Sequence, residues 1–229
     1  MKKLPFLDLG LMDYQSAFDL QTAVNQHLQG HKDEPGILML VEHLPVFTLG
    51  RNRKEDDFLF PVELVRSQGF DVAESNRGGN VTYHGPGQIV GYPLLNMEHF
   101  KKDVQWYVWT LEEWIIRTLA HYGLTADRKP AYRGVWVDDA KICAMGVAIK
   151  RWSTMHGFAL NHHTNLDHFK LINPCGITEF GVTSMEKLGC VDDISQVADT
   201  LLYEFERIFE CQLVPTTLEE VKEHVHYSE

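Results

Sequence analysis

The feature that most constrains the fold is a glycine-rich segment at residues 77–88, Arg-Gly-Gly-Asn-Val-Thr-Tyr-His-Gly-Pro-Gly-Gln. It lies between two β-forming stretches, residues 70–73 and 89–95. Because glycine has no Cβ, such a segment lets the backbone pass close to a neighbouring strand or a ligand. Gly85-Pro86-Gly87 can form a tight turn, since proline presets φ and glycine accepts a positive φ. Two interpretations remain open: a structural hairpin with a bulge, or a cradle for a ligand.

The acidic composition limits the partners that such a cradle can serve. The chain has 229 residues, a net charge of −11 and 44% hydrophobic residues, so it can bury a sizeable core. Its charge argues against nucleic acid as a partner, because phosphate binding needs a basic face. No apolar run is long enough to span a membrane, and the N-terminus lacks a signal-peptide core. We therefore expect a cytoplasmic protein that binds neither nucleic acid nor a membrane.

The spacing of apolar residues between caps and breakers predicts an α/β fold. Helices are predicted at 14–30, 61–68, 104–122 and 194–209, with an acidic terminal turn or two at 218–226. Strands are predicted at 4–9, 36–42, 46–50, 134–137, 142–149 and 154–160, the last interrupted at Gly157. We expect 36–42 and 46–50 to pair as a hairpin. No linker or repeat separates these elements, which indicates one domain over residues 1–229 with a mixed sheet.

Cys175 is the leading candidate for chemistry. It lies in Asn-Pro-Cys-Gly, whereas Cys143 and Cys211 lie in apolar stretches typical of buried, inert thiols. A nucleophilic cysteine needs a thiolate, which a positive neighbour or a helix N-terminus stabilises. Lys141, at the head of an apolar strand, is the candidate neighbour, because a desolvated lysine can stabilise a thiolate and move protons. An inert thiol and an ordinary exposed lysine remain the alternatives.

The histidines near Cys175 invite a metal hypothesis, which their spacing does not favour. The histidines concerned are His156, His162, His163 and His168. They form no compact ligand pattern, and the segment is predicted to be a strand followed by a loop. We therefore predict no metal and no cofactor in the site. The four cysteines include no CxxC pair and are predicted to be reduced thiols.

Several motifs, in a fixed order, resemble the octanoyltransferases of lipoate biosynthesis. The glycine-rich segment at 77–88 is one of them, and Glu-His-Leu-Pro-Val-Phe-Thr-Leu-Gly at 42–50 is similar to their early hairpin. The others are Gly-Val-Trp-Val at 134–137, Lys-Ile-Cys-Ala-Met-Gly at 141–146, His-Gly-Phe-Ala-Leu-Asn at 156–161, and Asn-Pro-Cys-Gly-Ile at 173–177 with Gly-Val-Thr-Ser at 181–184. The resemblance covers about residues 37–189.

The resemblance implies a fold, an activity and a set of partners. The fold is that of the biotin and lipoate protein ligases: α/β, with a large mixed sheet, a smaller sheet and flanking helices. The activity is transfer of an octanoyl or lipoyl group from acyl carrier protein to a lysine of a lipoyl domain, the first step of endogenous protein lipoylation. Cys175 would carry the acyl group as a thioester, and Lys141 would activate it. The implied acceptors are the lipoyl domains of 2-oxoacid dehydrogenase complexes and the glycine cleavage H protein.

The resemblance also implies which residues line the acyl site. They are Arg77, Gly78, Gly79, Asn80, Val81, Thr82, Tyr83, His84, Ala144, Met145, Gly146, Gly157, Phe158 and Ala159. Carrier proteins and lipoyl domains are usually acidic, as this chain is, so we predict a local basic rim at the site. Its candidates are Arg51, Arg53, Lys54, Arg128, Lys129, Arg133, Lys150 and Arg151. Two other functions remain open: an ATP-dependent lipoate-protein ligase of the same fold, and a non-catalytic acyl-binding protein.

Overall fold

A computed structural model of the chain describes residues 1–54, 56–173 and 180–227. Its helices are α1 (Tyr14–Gly30), α2 (Val62–Ser67), α3 (Val104–Ala120), α4 (Ile194–Phe209) and α5 (Leu218–His224). Its strands are β1 (Lys2–Met12), β2 (Gly36–His43), β3 (Val46–Leu49), β4 (Asp71–Glu74), β5 (Val81–His84), β6 (Gln88–Leu95), β7 (Asp127–Lys129), β8 (Tyr132–Val137), β9 (Ala140–Lys150), β10 (Ser153–Asn161), β11 (Gly181–Val182) and β12 (Cys211–Pro215). None of the described helices is long and apolar enough to cross a membrane.

The strands form one large sheet and one small sheet, as predicted. The large sheet has the order β12-β1-β2-β6-β10-β9-β8-β7, and β11 pairs with β9. Its β1–β12, β1–β2 and β9–β11 pairs are parallel and its other pairs are antiparallel. The small sheet has the order β4-β3-β5, with β3 parallel to β4 and antiparallel to β5. The prediction of an α/β fold with a large mixed sheet is confirmed.

Helices cover both faces of the large sheet. Along β2, Leu38 and Leu40 pack into the core beneath α3 and α4, whereas Met39 and Val41 pack into the core that includes α1 and Val221 of α5. This alternation follows from the two-residue period of a strand. Burial on both faces explains why residues 36–42 are almost continuously apolar.

The helix starts are set locally and match the sequence prediction. The Asp13 and Asp103 carboxylates accept hydrogen bonds from the backbone N–H groups at the third positions of α1 and α3. Asp193 forms a capping box with Gln196 at the start of α4. Such caps satisfy backbone donors that have no partner within the helix. The helix after Asp103 ends near Gly123, which has a φ of 71°.

The predicted hairpin between 36–42 and 46–50 is wrong. β2 lies between β1 and β6 in the large sheet, whereas β3 lies between β4 and β5 in the small sheet. Both edges of β2 are therefore already paired. The intervening residues bond to β1 instead, because Leu44 N–H donates to Met12 O and Pro45 has no N–H to extend a ladder.

The segment Gly85-Pro86-Gly87 forms the predicted turn but closes no hairpin. Gln88 N–H donates to Gly85 O at 3.2 Å, and Gly87 has a φ of 81°. The turn joins β5 of the small sheet to β6 of the large sheet. The glycine-rich segment therefore carries the chain from one sheet to the other.

The predicted interruption at Gly157 is wrong for the edge that faces β9, where β10 pairs through Gly157 without a break. An irregularity does lie beside it, because His156 has a φ of 58° and β10 pairs with β6 only from Phe158 to Asn161. Glycine stands there for packing rather than for a turn, because a Cβ would lie 2.2 Å from Gly91 O and 2.7 Å from the Pro93 ring. β10 can approach β6 this closely because Gly157 has no Cβ.

Candidate active site

A cavity of about 520 Å³ is lined by residues of both sheets. This volume is within the range of small-molecule sites. The small sheet contributes β5, and the large sheet contributes β9 and β10 together with Val90 and Tyr92 of β6. The sequence-predicted residues that line it are Arg77, Gly78, Gly79, Asn80, Val81, Thr82, His84, Lys141, Ala144, Met145, Gly146, Gly157, Phe158 and Ala159. Described residues of the motifs at 77–88, 134–137, 141–146, 156–161 and 181–184 thus meet around one space.

Tyr83 is the predicted substrate-binding residue that does not line the cavity. Successive strand residues point to opposite faces, so Thr82 and His84 face the cavity and Tyr83 faces the core of the small sheet. Its ring packs 5.3 Å from that of Phe47 and 5.5 Å from that of Phe169. The structure therefore places Tyr83 in packing rather than in contact with a ligand in the cavity.

The glycine strip, residues 77–80, is held on both sides by backbone hydrogen bonds. Gly78 N–H donates to Val147 O of β9 at 3.0 Å, and Gly50 N–H donates to Asn80 O at 2.8 Å. A Cβ on Gly146 would lie 3.0 Å from Gly78 O, and one on Gly50 would lie 2.2 Å from Gly79 O. The glycines therefore let the strip fit between its neighbours. This geometry favours the cradle interpretation over a simple hairpin.

Arg77 places a fixed positive charge in the wall of the cavity. Its guanidinium is buried and donates to Thr48 O at 2.6 Å, to Thr48 Oγ1 at 2.9 Å and to Gly78 O at 3.0 Å. These bonds fix the planar group in one orientation. The Arg77 charge can therefore stabilise an electron-rich atom of a ligand without any change in the position of its side chain.

His84 is held as a single tautomer. Gln88 Nε2 donates to Tyr83 O and to Asn161 Oδ1, so Gln88 presents its oxygen to His84 Nδ1 at 2.8 Å. Because that oxygen can only accept, Nδ1 carries the proton. Nε2 is then the acceptor, and it lies 3.4 Å from Thr48 Oγ1.

Two buried histidines that line the cavity, His84 and His156, and a third beside His84, His43, are neutral at physiological pH. Burial, assisted by nearby positive groups, holds the pKa of His84 well below its ordinary value. Burial likewise lowers the pKa of His156 to about 3, and that of His43, next to His84, to about 4. Desolvation disfavours the charged ring. Among the described residues that line the cavity, no carboxylate is present, and the cations are Arg77, Arg133 and Lys141.

Lys141 lies on β9 at the other end of the cavity. It is half-buried, and its Nζ lies 4.9 Å from the centre of the Trp136 ring. An ammonium group over an indole face is stabilised by the ring quadrupole. Val182 of β11 is aligned with Lys141, and Thr183 N–H donates to Lys141 O at 3.0 Å. Lys141 therefore faces the cavity beside the residues that follow the Asn-Pro-Cys-Gly motif.

Cys175 lies outside the described residues, and its catalytic role stays a prediction. The chain on both sides of residues 174–179 is anchored. Asn173 N–H donates to Asp57 O at 2.8 Å, and Gly181 and Val182 form β11 on β9. Phe180, Gly181 and Val182 line the cavity. The described C-terminal flank of the cysteine segment is thus part of the cavity wall.

The other candidate side chains do not gather at the cavity. Cys143 and Cys211 are buried, and burial raises the pKa of the Cys143 thiol and raises that of Cys211 to about 11. Of the four histidines of the metal hypothesis, only His156 lines the cavity, and it bonds to the Asn76 side chain. Within the described ranges, the predicted rim residues Arg53, Arg128 and Lys129 pair with carboxylates of their own chain. Arg133, by contrast, is exposed and lines the cavity.

Several lining residues were not predicted from the sequence. They are Tyr14, Val90, Tyr92, Val108, Leu111, Tyr132, Trp136, Val147, His156 and Phe180, among others. Most are apolar or aromatic, so they make the wall suitable for an alkyl chain. Leu111 lies on α3, and only the packing of α3 on the sheet shows that it borders the cavity.

A family model described as the lipoyl protein ligase A/B catalytic domain matches residues 13–206. The octanoyltransferase of Caldanaerobacter subterraneus subsp. tengcongensis is 45% identical over 211 residues, which cover 92% of each chain. The octanoyltransferase of Desulforamulus reducens is 46% identical over 210 residues, which cover 91% of this chain and 92% of the relative.

Solved structures agree on the fold at much lower identity. A crystal structure of lipoate-protein ligase A bound with ATP has a TM-score of 0.83 at 18% identity and covers 98% of this chain and 92% of its own. Biotin protein ligase from Aquifex aeolicus, in complex with biotin and ATP, has a TM-score of 0.54 at 12% identity and covers 92% and 71%. The chain thus belongs to the lipoyl protein ligase A/B catalytic domain family and, within it, to the acyltransferases named octanoyltransferases.

Proposed function

We propose that this chain moves an octanoyl or lipoyl group from an acyl carrier protein to a lysine of a lipoyl domain through a thioester on Cys175. The observation that supports this path is the cavity itself. The glycine strip and Arg77 form one wall, apolar strand residues form the sides, and Lys141 lies beside the described flank of the cysteine segment. The proposed catalytic unit is residues 1–229, which acts without a metal or cofactor.

The apolar walls would bind the acyl tail. Val90, Met145 and Phe158 are among the residues that line the cavity, and each offers a hydrocarbon surface. Burial contributes about 0.8 kcal/mol per CH₂, so a chain of octanoyl length gains several kcal/mol. This supports recognition of the tail by burial, while the polar groups of the strip orient the thioester.

In the first half-reaction, the Cys175 sulfur attacks the thioester carbonyl carbon of the donor. A new carbon–sulfur bond forms, and the bond to the carrier thiol breaks. Lys141, entering the step as the neutral amine, takes the proton of the Cys175 thiol, and the ammonium group so formed returns it to the leaving carrier thiolate. Thioester exchange is close to isoenergetic, so no ATP is consumed.

In the second half-reaction, the amine of an acceptor lysine attacks the acyl-Cys175 carbonyl. An amide forms, the Cys175 thiolate leaves, and Lys141 transfers a proton from the amine to the sulfur. The Gly78 N–H is bonded to Val147 O, so the Gly79 and Asn80 N–H groups of the strip, with the Arg77 charge, would stabilise the developing oxyanion in both steps. We assign the acceptors to the lipoyl domains of 2-oxoacid dehydrogenase complexes and the glycine cleavage H protein, and the reaction to the cytoplasm.

A choice of donor tests this function against the alternatives. The full chain is incubated with a lipoyl-domain acceptor and either octanoyl-carrier protein alone or octanoate with ATP and Mg²⁺, and acceptor mass is measured. We expect a gain of one octanoyl group with octanoyl-carrier protein alone. A gain only with octanoate and ATP would identify a ligase. Binding of octanoyl-carrier protein with no acceptor modification under either condition would identify a non-catalytic acyl-binding protein.

A further inference from the structure

Outside the cavity, two histidines and a glutamate meet at the end of α1. His27 lies on α1, Glu34 lies between α1 and β2, and His224 is the last residue of α5. His27 Nε2 lies 3.0 Å from Glu34 Oε1, and His224 Nε2 lies 2.9 Å from Glu34 Oε2. Both imidazoles therefore direct the same type of nitrogen at one carboxylate.

The spacing of these atoms is close to that of a metal-ligand set. The candidate ligand atoms of His27, Glu34 and His224 all lie within 4.8 Å of one another. A tetrahedral zinc with bonds of 2.0–2.2 Å needs its ligand atoms about 3.4 Å apart. Each histidine nitrogen lies within about half an ångström of this value from a different oxygen of Glu34. A single set of three ligand atoms, one from each residue, lies within 4.8 Å, so the side chains must still rearrange to close around an ion.

Two of the three side chains are held in place, and the third can adjust. The side chains of His27, Glu34 and His224 are 9%, 31% and 59% exposed. His27 stacks on the ring of His31 at 3.9 Å, and His31 Nδ1 lies 3.0 Å from His27 O. His224, the last residue of a seven-residue helix, is the most exposed of the three and so the least constrained.

The chemistry of the cluster also suits a divalent cation. Imidazole nitrogens and a carboxylate oxygen are both ligands that Zn²⁺ takes in proteins.

A second cavity, of about 250 Å³, is lined by all three residues. Its other walls include Val24, Leu28 and Val221. This space adjoins the three side chains and is large enough to hold water. Two nitrogens and one carboxylate favour a borderline cation such as Zn²⁺ over Mg²⁺ or Ca²⁺, which prefer oxygen ligands.

We propose that His27, Glu34 and His224 bind a zinc ion that fastens α5 to the end of α1. The site shares no residue with the described lining of the catalytic cavity. Octanoyl transfer therefore does not depend on it. Its effect is on the stability of the C-terminal region.

Calorimetric titration of the untagged full chain with ZnCl₂ at pH 7.5 tests the site, with His224→Asn and His226→Asn as a matched pair. His226 is exposed, lies two residues beyond His224 and has a φ of 54°, which asparagine tolerates. We expect wild type and His226→Asn to bind one more Zn²⁺ than His224→Asn, or to bind it at least tenfold more tightly. MgCl₂ should give no corresponding heat. Equal Zn²⁺ stoichiometry and affinity in all three chains would overturn the proposal.

Two further measurements identify the side chains that bind Zn²⁺. Glu34→Gln should weaken Zn²⁺ binding as His224→Asn does, and Zn²⁺ should slow hydrogen exchange at residues 218–227 in wild type but not in Glu34→Gln. If the tight Zn²⁺ is instead lost in Cys175→Ser and kept in His224→Asn, the metal binds the thiol, which also overturns the proposal. Circular dichroism checks that each variant is folded.

Discussion

The two ends of the catalytic cavity are built differently. At one end, the glycine strip and Arg77 are fixed by backbone and guanidinium hydrogen bonds, and the neighbouring histidines are neutral. At the other end, Lys141 projects over Trp136 beside β11. The first end offers fixed donors and a shape, whereas the second offers a side chain that can exchange a proton. The comparison indicates that substrate binding depends on the first end of the cavity and proton transfer on the second.

Lys141→Met should change the rate of octanoyl transfer most, because it removes the proton-transfer group and leaves the glycine strip and Arg77 intact. We expect octanoyl transfer to fall about 10³-fold, within the range for loss of a general acid–base. Lys141→Arg keeps the charge but cannot give up a proton at neutral pH, so it should be impaired nearly as much. Lys150→Met, at the exposed far end of the same strand, is the control and should lose at most the few-fold effect of a rim charge. An active Lys141→Arg would show that only the charge is needed.

The neutral histidines predict a loss of stability in acid. Burial lowers the pKa of His43 to about 4 from an ordinary value of 6.5. Between these pH values the unfolded chain binds more protons than the folded chain, so protonation of His43 favours unfolding. The free energy of unfolding therefore keeps its full value above pH 6.5 and falls as the pH is lowered towards 4. The full size of this fall is about 3 kcal/mol. Urea unfolding at pH 7 and pH 4.5 should show a smaller pH dependence in His43→Gln than in wild type, and equal dependence would contradict a neutral buried ring.

Gly146→Ala is designed to displace the glycine strip while Lys141 stays in place. The added methyl would lie 3.0 Å from Gly78 O and 3.1 Å from Arg77 Cδ, so the strip must move. We expect kcat/KM with octanoyl-carrier protein to fall about tenfold, and the free energy of unfolding to fall by about 1–3 kcal/mol. The control is Gly30→Ala, where a Cβ meets nothing within 4 Å. An unchanged kcat/KM in Gly146→Ala would mean that the strip does not position the thioester.

Arg133→Glu tests the cavity mouth and has the smallest expected effect. Arg133 is exposed and lines the cavity, whereas Arg53, Arg128 and Lys129 pair with carboxylates of their own chain. Reversal should lower kcat/KM for an acidic carrier protein a few-fold at low salt, and the difference should shrink at high salt. Lys102→Glu, outside the described lining, is the control. A salt-independent loss would indicate a direct catalytic contact rather than steering.

The features predicted from sequence are those that nearby residues determine. Asp13, Asp103 and Asp193 start their helices by bonding to backbone three residues on, and the turn at 85–88 needs only its own proline and glycine. Strand pairing is not local. The apolar run at 36–42 fits a hairpin and a central strand equally well, and it is central because β1 and β6 occupy its two edges.

For the site, too, the sequence predicted what nearby residues determine and missed what depends on contacts between distant elements. The resemblance identified the segments that meet at the cavity, but it did not tell which side of β5 each residue faces. Tyr83 therefore entered the predicted set although it packs in the small-sheet core. Tyr92 and Leu111 were missed, since their position at the cavity depends on how β6 and α3 pack on distant elements.

The most direct test of the covalent relay is the intact mass of the chain after mixing with octanoyl-carrier protein. We expect wild type and Cys190→Ser to gain one octanoyl group that hydroxylamine removes, and Cys175→Ser to gain none. Cys190 is a half-buried thiol and serves as the matched control. A wild type that transfers octanoyl to its acceptor without ever carrying the adduct would contradict a thioester on Cys175 and would indicate direct transfer within the cavity.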